Sequence, residues 1–291
     1  MNILVTGANG QLGRELRRLS EGSADRWVFT DISAAEGLDT VLLDITDPAA
    51  VRALADAENI GLIINCAGYT DVEAAEDNPQ AAARLNTEAP ASLARIAMDR
   101  DAALIHISTD FVFDGKGCRP LKEDDPTGPL NVYGRTKLEG ERAVLSSGCR
   151  AIVIRTSWMY SPYGRNFVKT MMDLTARKDS LRVVSDQVGT PTSAADLAEF
   201  IIHVVRTGQL RKTGMYHFSG EGAVSRFDFA CAVRDLCGNA CDIQPCLSAD
   251  YPSKAVRPAY SALDKSLVKK TFGVEIPSWR ESLEVCIRRM A

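Results

Sequence analysis

Short apolar runs alternate with amphipathic stretches along this chain. Ile3 to Val5, Trp27 to Asp31, Val41 to Ile45, Gly61 to Cys66, Ala102 to Ile107 and Ala151 to Arg155 are brief and mostly rich in branched residues. That pattern marks strands buried on both faces. The stretches between them read as helices. Gln11 to Leu19 is one, and Asp47 and Pro48 stand as N-cap and first residue of another that runs to Ala57. The Ala-rich segment from Asp71 to Asp99 predicts helix with a break near Pro79, and Asn131 caps a helix to Ser147. Strand and helix in alternation predict an α/β fold with a doubly wound parallel sheet.

Past Arg155 the rhythm loosens. Helices are expected at Phe167 to Lys178, Ser193 to Arg206 and Ser225 to Cys237, with two more after residue 238. Short strands are expected at Leu181 to Ser185 and Gly214 to Phe218. Phe111 to Leu130 is a Gly-, Pro- and Asp-containing loop, long enough to be functional in a compact domain. His106 lies inside a strand and reads as a core histidine.

The first strand runs into Gly7, Gly10 and Gly13, spaced G-x-x-G-x-x-G, and then into a helix. Strand, glycine turn and helix N-terminus together make an anion site, because free N–H groups and the helix dipole point at it. Gly7 suits the tight turn, Gly10 a close approach of backbone to a pyrophosphate, and Gly13 close helix packing. Asp31 ends the second strand, at the distance where such a unit holds the ribose hydroxyls. The fold class is therefore Rossmann-like, with a smaller interleaved α/β part. Residues 1–160 form the dinucleotide-binding part, to which 186–218 return. Residues 161–185 and 219–291 form the substrate-binding part. The cofactor residues expected are Gly7, Gly10, Gln11, Leu12, Gly13, Asp31, Asp44, Ile45, Ala67, Gly68 and Tyr69, together with Tyr133 and Lys137. The cofactor expected is NADPH or NADH. Asp31 favours free ribose hydroxyls and Arg14 a 2′-phosphate, so dual use is expected.

Composition narrows the partners. The chain has 291 residues, 45% hydrophobic and 25% charged, with a net charge of −4 and no long basic run. Neither nucleic acid nor a membrane is an expected partner. The chain starts on a strand rather than a leader, so a cytoplasmic protein is expected. The eight cysteines include no C-x-x-C and have no close histidine pair, so reduced thiols and no metal site are expected. A homodimer stays open.

Tyr133 and Lys137 form the second anchor. Their i, i+4 spacing puts them on one helical face. A free tyrosine titrates near 10, too high for easy proton transfer, and an adjacent ammonium is expected to lower that value. Ser108 and Thr109 end the preceding strand, and alternation lets one of the two hydroxyls point in.

These stretches carry a resemblance. NILVTGANGQLG and PLNVYGRTKLEGE are similar to segments of the extended short-chain dehydrogenase/reductases. INCAGYTDVEAAE, HISTDFVFDG, RTSWMYSPYGRNFV, DQVGTPT and RPAYSALD resemble, within them, the dTDP-4-dehydrorhamnose reductase family. The resemblance runs nearly end to end. It implies reduction of the 4-keto group of dTDP-4-dehydro-6-deoxy-L-mannose to dTDP-L-rhamnose. It also implies a catalytic set of Thr109, Tyr133 and Lys137, with Thr109, Asp110, Trp158, Asn166 and Arg257 serving the sugar nucleotide. Sugar-nucleotide dehydratases of this fold carry an acid pair after the threonine. Here Asp110 is followed by Phe111, which favours simple reduction. Another sugar-nucleotide reductase or epimerase, or a cofactor-binding regulatory subunit, remain as alternatives.

Overall fold

The computed structural model describes residues 1–290. The first half builds the sheet and its covering helices: β1 (Asn2–Thr6), α1 (Gln11–Leu19), β2 (Arg26–Asp31), β3 (Val41–Leu42), α2 (Pro48–Ala57), β4 (Leu62–Asn65), α3 (Val72–Asp77), α4 (Pro79–Ala83), α5 (Ala89–Asp99), β5 (Ala103–Thr109), α6 (Val132–Ser146) and β6 (Arg150–Thr156). A single π turn, Arg84–Glu88, joins α4 to α5. The second half adds β7 (Met159–Tyr160), α7 (Phe167–Arg177), β8 (Ser180–Val184), β9 (Val188–Gly189), β10 (Thr192–Ser193), α8 (Ala194–Arg206), β11 (Gly214–His217), β12 (Val224–Ser225), α9 (Arg226–Leu236), β13 (Asp242–Cys246), α10 (Ser266–Phe272) and α11 (Trp279–Arg288).

Seven parallel strands form the main sheet in the order β11-β6-β5-β4-β1-β2-β3. Strand alternation sorts the side chains to its two faces. Ile3, Val5 and Ile64 pack with α1, α8 and Phe272 on one face. Leu4, Ile63 and Val153 pack with Val51 of α2 and Leu93 of α5 on the other. Helices thus cover both faces, which is why the strands carry no polar alternation. The strand order reverses at β1 and β4. The crevice beyond their C-terminal ends is where such sheets bind ligands.

A separate core lies in the second half, where Val168 and Met171 of α7 meet Phe229 of α9 and Leu283 of α11. The expected returning segment supplies α8 and β11 to the main sheet. One boundary differs from expectation. Val268 and Phe272 of α10, with Ile276 behind them, pack into the main-sheet core although they fall within 219–291. Their apolar side chains extend the helical layer over β11, beside Tyr216 and Phe200. Two local readings also shift. The run from Val41 to Ile45 keeps strand geometry only at Val41–Leu42, while Leu43 and Ile45 turn inward beyond the sheet edge. β13 was not expected, because Pro245 and the polar Asp242 and Gln244 mask it; it pairs with β8 alone. Among the described residues no helix is long and apolar enough to cross a membrane. All eight cysteines are free.

Candidate active site

A cleft of about 910 Å³ opens where the strand order reverses, and Gly7, Tyr133 and Arg257 are among the residues that line it. Its floor begins with the glycine turn. Gly7 has φ +64°, and a Cβ there would lie 2.7 Å from the Ala67 nitrogen. Only glycine fits. Gly10 is the N-cap of α1 and caps with no side chain, so the first N–H groups of the helix stay available to an anion. Gln11 and Leu12 line the cleft. Gly13 does not. A Cβ on it would meet Ala8 Cα at 2.5 Å, so Gly13 brings helix and strand together behind the wall rather than touching a ligand.

Asp31 lines the cleft and accepts from the Asn9 N–H at 3.0 Å. Arg14 is turned away, with its guanidinium over the Tyr163 ring at 5.2 Å. Asp44 accepts from the Thr46 N–H and hydroxyl, which hold its carboxyl below the usual range. Ile45, Ala67, Gly68 and Tyr69 also line the cleft. Tyr69 is fixed by a residue that the sequence did not signal. Asn86, in the π turn, accepts from the Tyr69 N–H at 2.8 Å and donates to the Tyr69 carbonyl and the Thr136 hydroxyl. A glycine cradle, an uncapped helix end and an acid at the second strand fit a dinucleotide.

Tyr133 and Lys137 project from the first turns of α6, which Asn131 caps by accepting from the Gly134 N–H at 2.8 Å. The Tyr133 ring packs edge-on against Phe111 at 5.6 Å. The expected lowering of its pKa is not what the environment produces. Burial pushes the phenol up to about 12, with the Thr109 hydroxyl drawing it back and Asp110 adding to the rise. Lys137 yields to burial as well, pushed down to about 8, while Glu141 one turn later holds it up. Its ammonium donates to the Ile107 carbonyl. Tyr133 is therefore a protonated phenol beside a short strand end.

Ser108 and Thr109 diverge as alternation requires. The Ser108 hydroxyl is spent on Glu141, which is itself paired with Arg155 at 2.8 Å in the buried interior. Thr109 bonds Asp110 at 3.1 Å on the Tyr133 side. Asp110 accepts from the Ser261 hydroxyl at 2.6 Å, and burial pushes its carboxyl up to about 6 against those two bonds. His106 is fully buried and bonded to Asn65, so burial keeps it neutral, as befits a core histidine.

The other expected residues also line the cleft. Trp158 adopts φ +46°, an uncommon conformation for an aromatic residue, and its ring packs on Gly189. Arg257 pairs with Glu73 at 2.6 Å. Asn166 lines the cleft, but its amide is committed: it caps α7 and donates to Gln11 and to the Ser161 carbonyl. It orders the wall from within. Arg226 also faces the cleft, and nothing about its position after the Ser225 cap marked it beforehand.

A family model described as RmlD substrate binding domain matches residues 1–291. The chain belongs to that family. It is 39% identical over 291 residues to the dTDP-4-dehydrorhamnose reductase of Aggregatibacter actinomycetemcomitans, covering 97% of both chains. It is 42% identical to a probable dTDP-4,6-dihydroxy-2-methyloxan-3-one 4-ketoreductase of Streptomyces antibioticus, covering 97% of this chain and 93% of that one. Among solved structures, a dTDP-4-dehydrorhamnose reductase of Clostridium acetobutylicum superposes with a TM-score of 0.93 at 38% identity, covering 100% and 99% of the two chains. The Bacillus anthracis enzyme of that name, in complex with NADP, gives 0.90 at 32%, covering 99% of each. Against this RmlD family background, the glycine turn and the Thr109, Tyr133, Lys137 group stand in one cleft.

Proposed function

We propose that this chain is an NAD(P)H-dependent oxidoreductase that reduces the 4-keto group of dTDP-4-dehydro-6-deoxy-L-mannose to give dTDP-L-rhamnose. The observation that carries this reading is the convergence of Thr109, Tyr133 and Lys137 in the cleft that the glycine turn opens. Full-length similarity to reductases of this name supports the choice of substrate.

The dinucleotide would lie along Gly7, Gly10, Gln11 and Leu12, with Asp31 at its ribose, and when bound it supplies a hydride for the carbonyl carbon. Thr109 turns its hydroxyl from Asp110 to donate a hydrogen bond to the carbonyl oxygen and polarise it. Tyr133 gives its phenolic proton to that oxygen as the alkoxide forms. An alkoxide is a stronger base than a phenolate, so even a phenol raised to about 12 donates downhill. Lys137 stabilises the phenolate left behind, which regains its proton from water. Trp158 flanks the deoxysugar, Asp110 binds one of its hydroxyls, and Arg257 takes the diphosphate. Residues 161–185 and 219–265 receive the sugar nucleotide over the cofactor-binding part. The free thiols suit a cytoplasmic enzyme.

Purified protein assayed with NADPH and a panel of 4-keto sugar nucleotides tests the reading. Turnover of the L-mannose derivative above the others is expected. A second reading, reduction of a different dTDP-deoxysugar, is favoured by the 42% identity to the Streptomyces ketoreductase. Preference for another sugar would select it, and no turnover on any substrate would overturn both.

A further inference from the structure

Arg226 is the first residue of α9 and lines the cleft. Its guanidinium carbon lies 3.9 Å from the centroid of the Trp158 ring and 5.1 Å from that of Phe167. A cation–π contact uses the guanidinium charge without consuming its N–H donors, which stay free for another partner. On the same wall Arg257 is paired with Glu73. Arg226 has neither an ion pair nor a side-chain hydrogen bond among the described residues. Burial draws its pKa down to about 10, with Asp110 opposing the fall and Arg257 adding to it. The charge is kept at neutral pH even so. Asp110 acts on it through space and forms no ion pair with it.

Two guanidinium groups on one wall repel each other. An anion with several charged oxygens turns that repulsion into two attractions, and a diphosphate has the charge and the span for it. A neutral sugar ring has only hydroxyls to offer, and would leave the Arg226 charge unbalanced.

We infer that Arg226 binds the diphosphate of the nucleotide substrate as a second guanidinium beside Arg257, and so sets the affinity for a nucleoside diphosphate over a nucleoside. The inference rests on the sugar-nucleotide reading of this cleft. It assigns α9 a direct part in recognition. It also gives Trp158 a second task, because the ring that flanks the sugar holds the guanidinium that grips the diphosphate.

The test uses the full chain saturated with NADPH, so that the cofactor's own phosphate site is filled. Calorimetric titration compares dTDP with thymidine in wild type, Arg226→Met and Arg226→Lys. Methionine keeps the apolar contact with Trp158 and removes the charge. Arg226→Met is expected to weaken dTDP by about 10- to 100-fold and thymidine by less than about twofold, with lysine restoring part of the loss. Unchanged NADPH affinity in the variants would show that they fold. Loss of dTDP within about twofold of wild type overturns the inference. So does equal weakening of dTDP and thymidine, which a mere prop for Trp158 would give. If wild type binds neither ligand, the substrate reading fails, and inorganic pyrophosphate decides the role of Arg226 separately. Pyrophosphate binding that Arg226→Met loses supports the anion site. Equal binding in both proteins, or none in wild type, overturns it.

Discussion

Lys137 Nζ donates to the carbonyl oxygen of Ile107 at 2.6 Å, two residues before Thr109 on the same strand. This bond fixes α6 against the end of β5. Tyr133 lies one helical turn earlier, so the same contact sets the register between the phenol and the Thr109 hydroxyl. The geometry of the proposed catalytic group is thus a property of a helix and a strand, not of a loop.

Lys137 gives the site a pH dependence. Burial lowers its pKa to about 8, so the ammonium is charged below that value and neutral above it. A neutral amine no longer stabilises the phenolate. Turnover is therefore expected to decline on the alkaline side, with an apparent pKa near 8. The pH profile of kcat with saturating cofactor checks it. Glu141 holds the ammonium up, so Glu141→Gln should move the break to lower pH. A profile flat to pH 10 would remove Lys137 from the proton-transfer step.

Asp110 supplies a stability prediction that runs in the same direction, at lower pH. Its native pKa is raised from 3.8 to about 6, chiefly by burial. A raised value means that the native state holds a proton which the unfolded state has already released. The contribution is present at low pH and is lost as pH rises through 6. Wild type should therefore gain about 2 kcal/mol relative to Asp110→Asn between pH 7.5 and 4.5. Urea unfolding of both proteins at the two pH values measures it. Parallel curves would mean that Asp110 stays ionised in the fold.

Much of this arrangement was legible in the sequence, and the parts that were not have physical reasons. The main-sheet strands declare themselves because burial on both faces leaves little room for polar residues. The glycine turn and the Tyr133–Lys137 spacing are local, so a single segment carries each. Arg226 is different: its meaning depends on Trp158, far away along the chain, and a basic residue at a helix start looks unremarkable. Asn86 sits in an Ala-rich helical stretch, where a π turn leaves no compositional sign. The charge states were the least legible. Spacing predicted that Lys137 would lower the Tyr133 pKa, whereas burial acts on both groups first and drives each toward its neutral form.

Cofactor choice turns on Asp31. Its carboxylate lines the cleft, and Arg14 stacks on Tyr163 instead of facing it. The acid suits the ribose hydroxyls of NADH and repels a 2′-phosphate, while the Bacillus anthracis relative was solved with NADP. Use of both nucleotides with a preference below ~100-fold, about 2.7 kcal/mol, is expected. Asp31→Ser should shift the ratio of kcat/KM values toward NADPH by about tenfold or more. An unchanged ratio would show that Asp31 does not meet the ribose.

Tyr133 carries the sharpest expectation. Hydride arriving at a ketone leaves an alkoxide that must be protonated as it forms, and the buried Tyr133 phenol beside Thr109 is the proposed proton source. Phenylalanine keeps the ring and its edge-on contact with Phe111, and removes only the hydroxyl. Tyr133→Phe is therefore expected to fold normally and to lose roughly two to four decades of kcat, the usual worth of a positioned acid. The glycine turn is untouched, so cofactor affinity should stay within about threefold, under 1 kcal/mol. In the proposed mechanism Thr109 polarises the carbonyl without supplying the proton, so Thr109→Val should cost less in kcat than Tyr133→Phe. Loss of NAD(P)H absorbance follows turnover, and fluorescence titration follows the cofactor. Near-normal turnover in Tyr133→Phe would overturn the mechanism and favour a protein that binds the cofactor without using it. A larger loss in Thr109→Val than in Tyr133→Phe would move the essential donor from the phenol to the strand end.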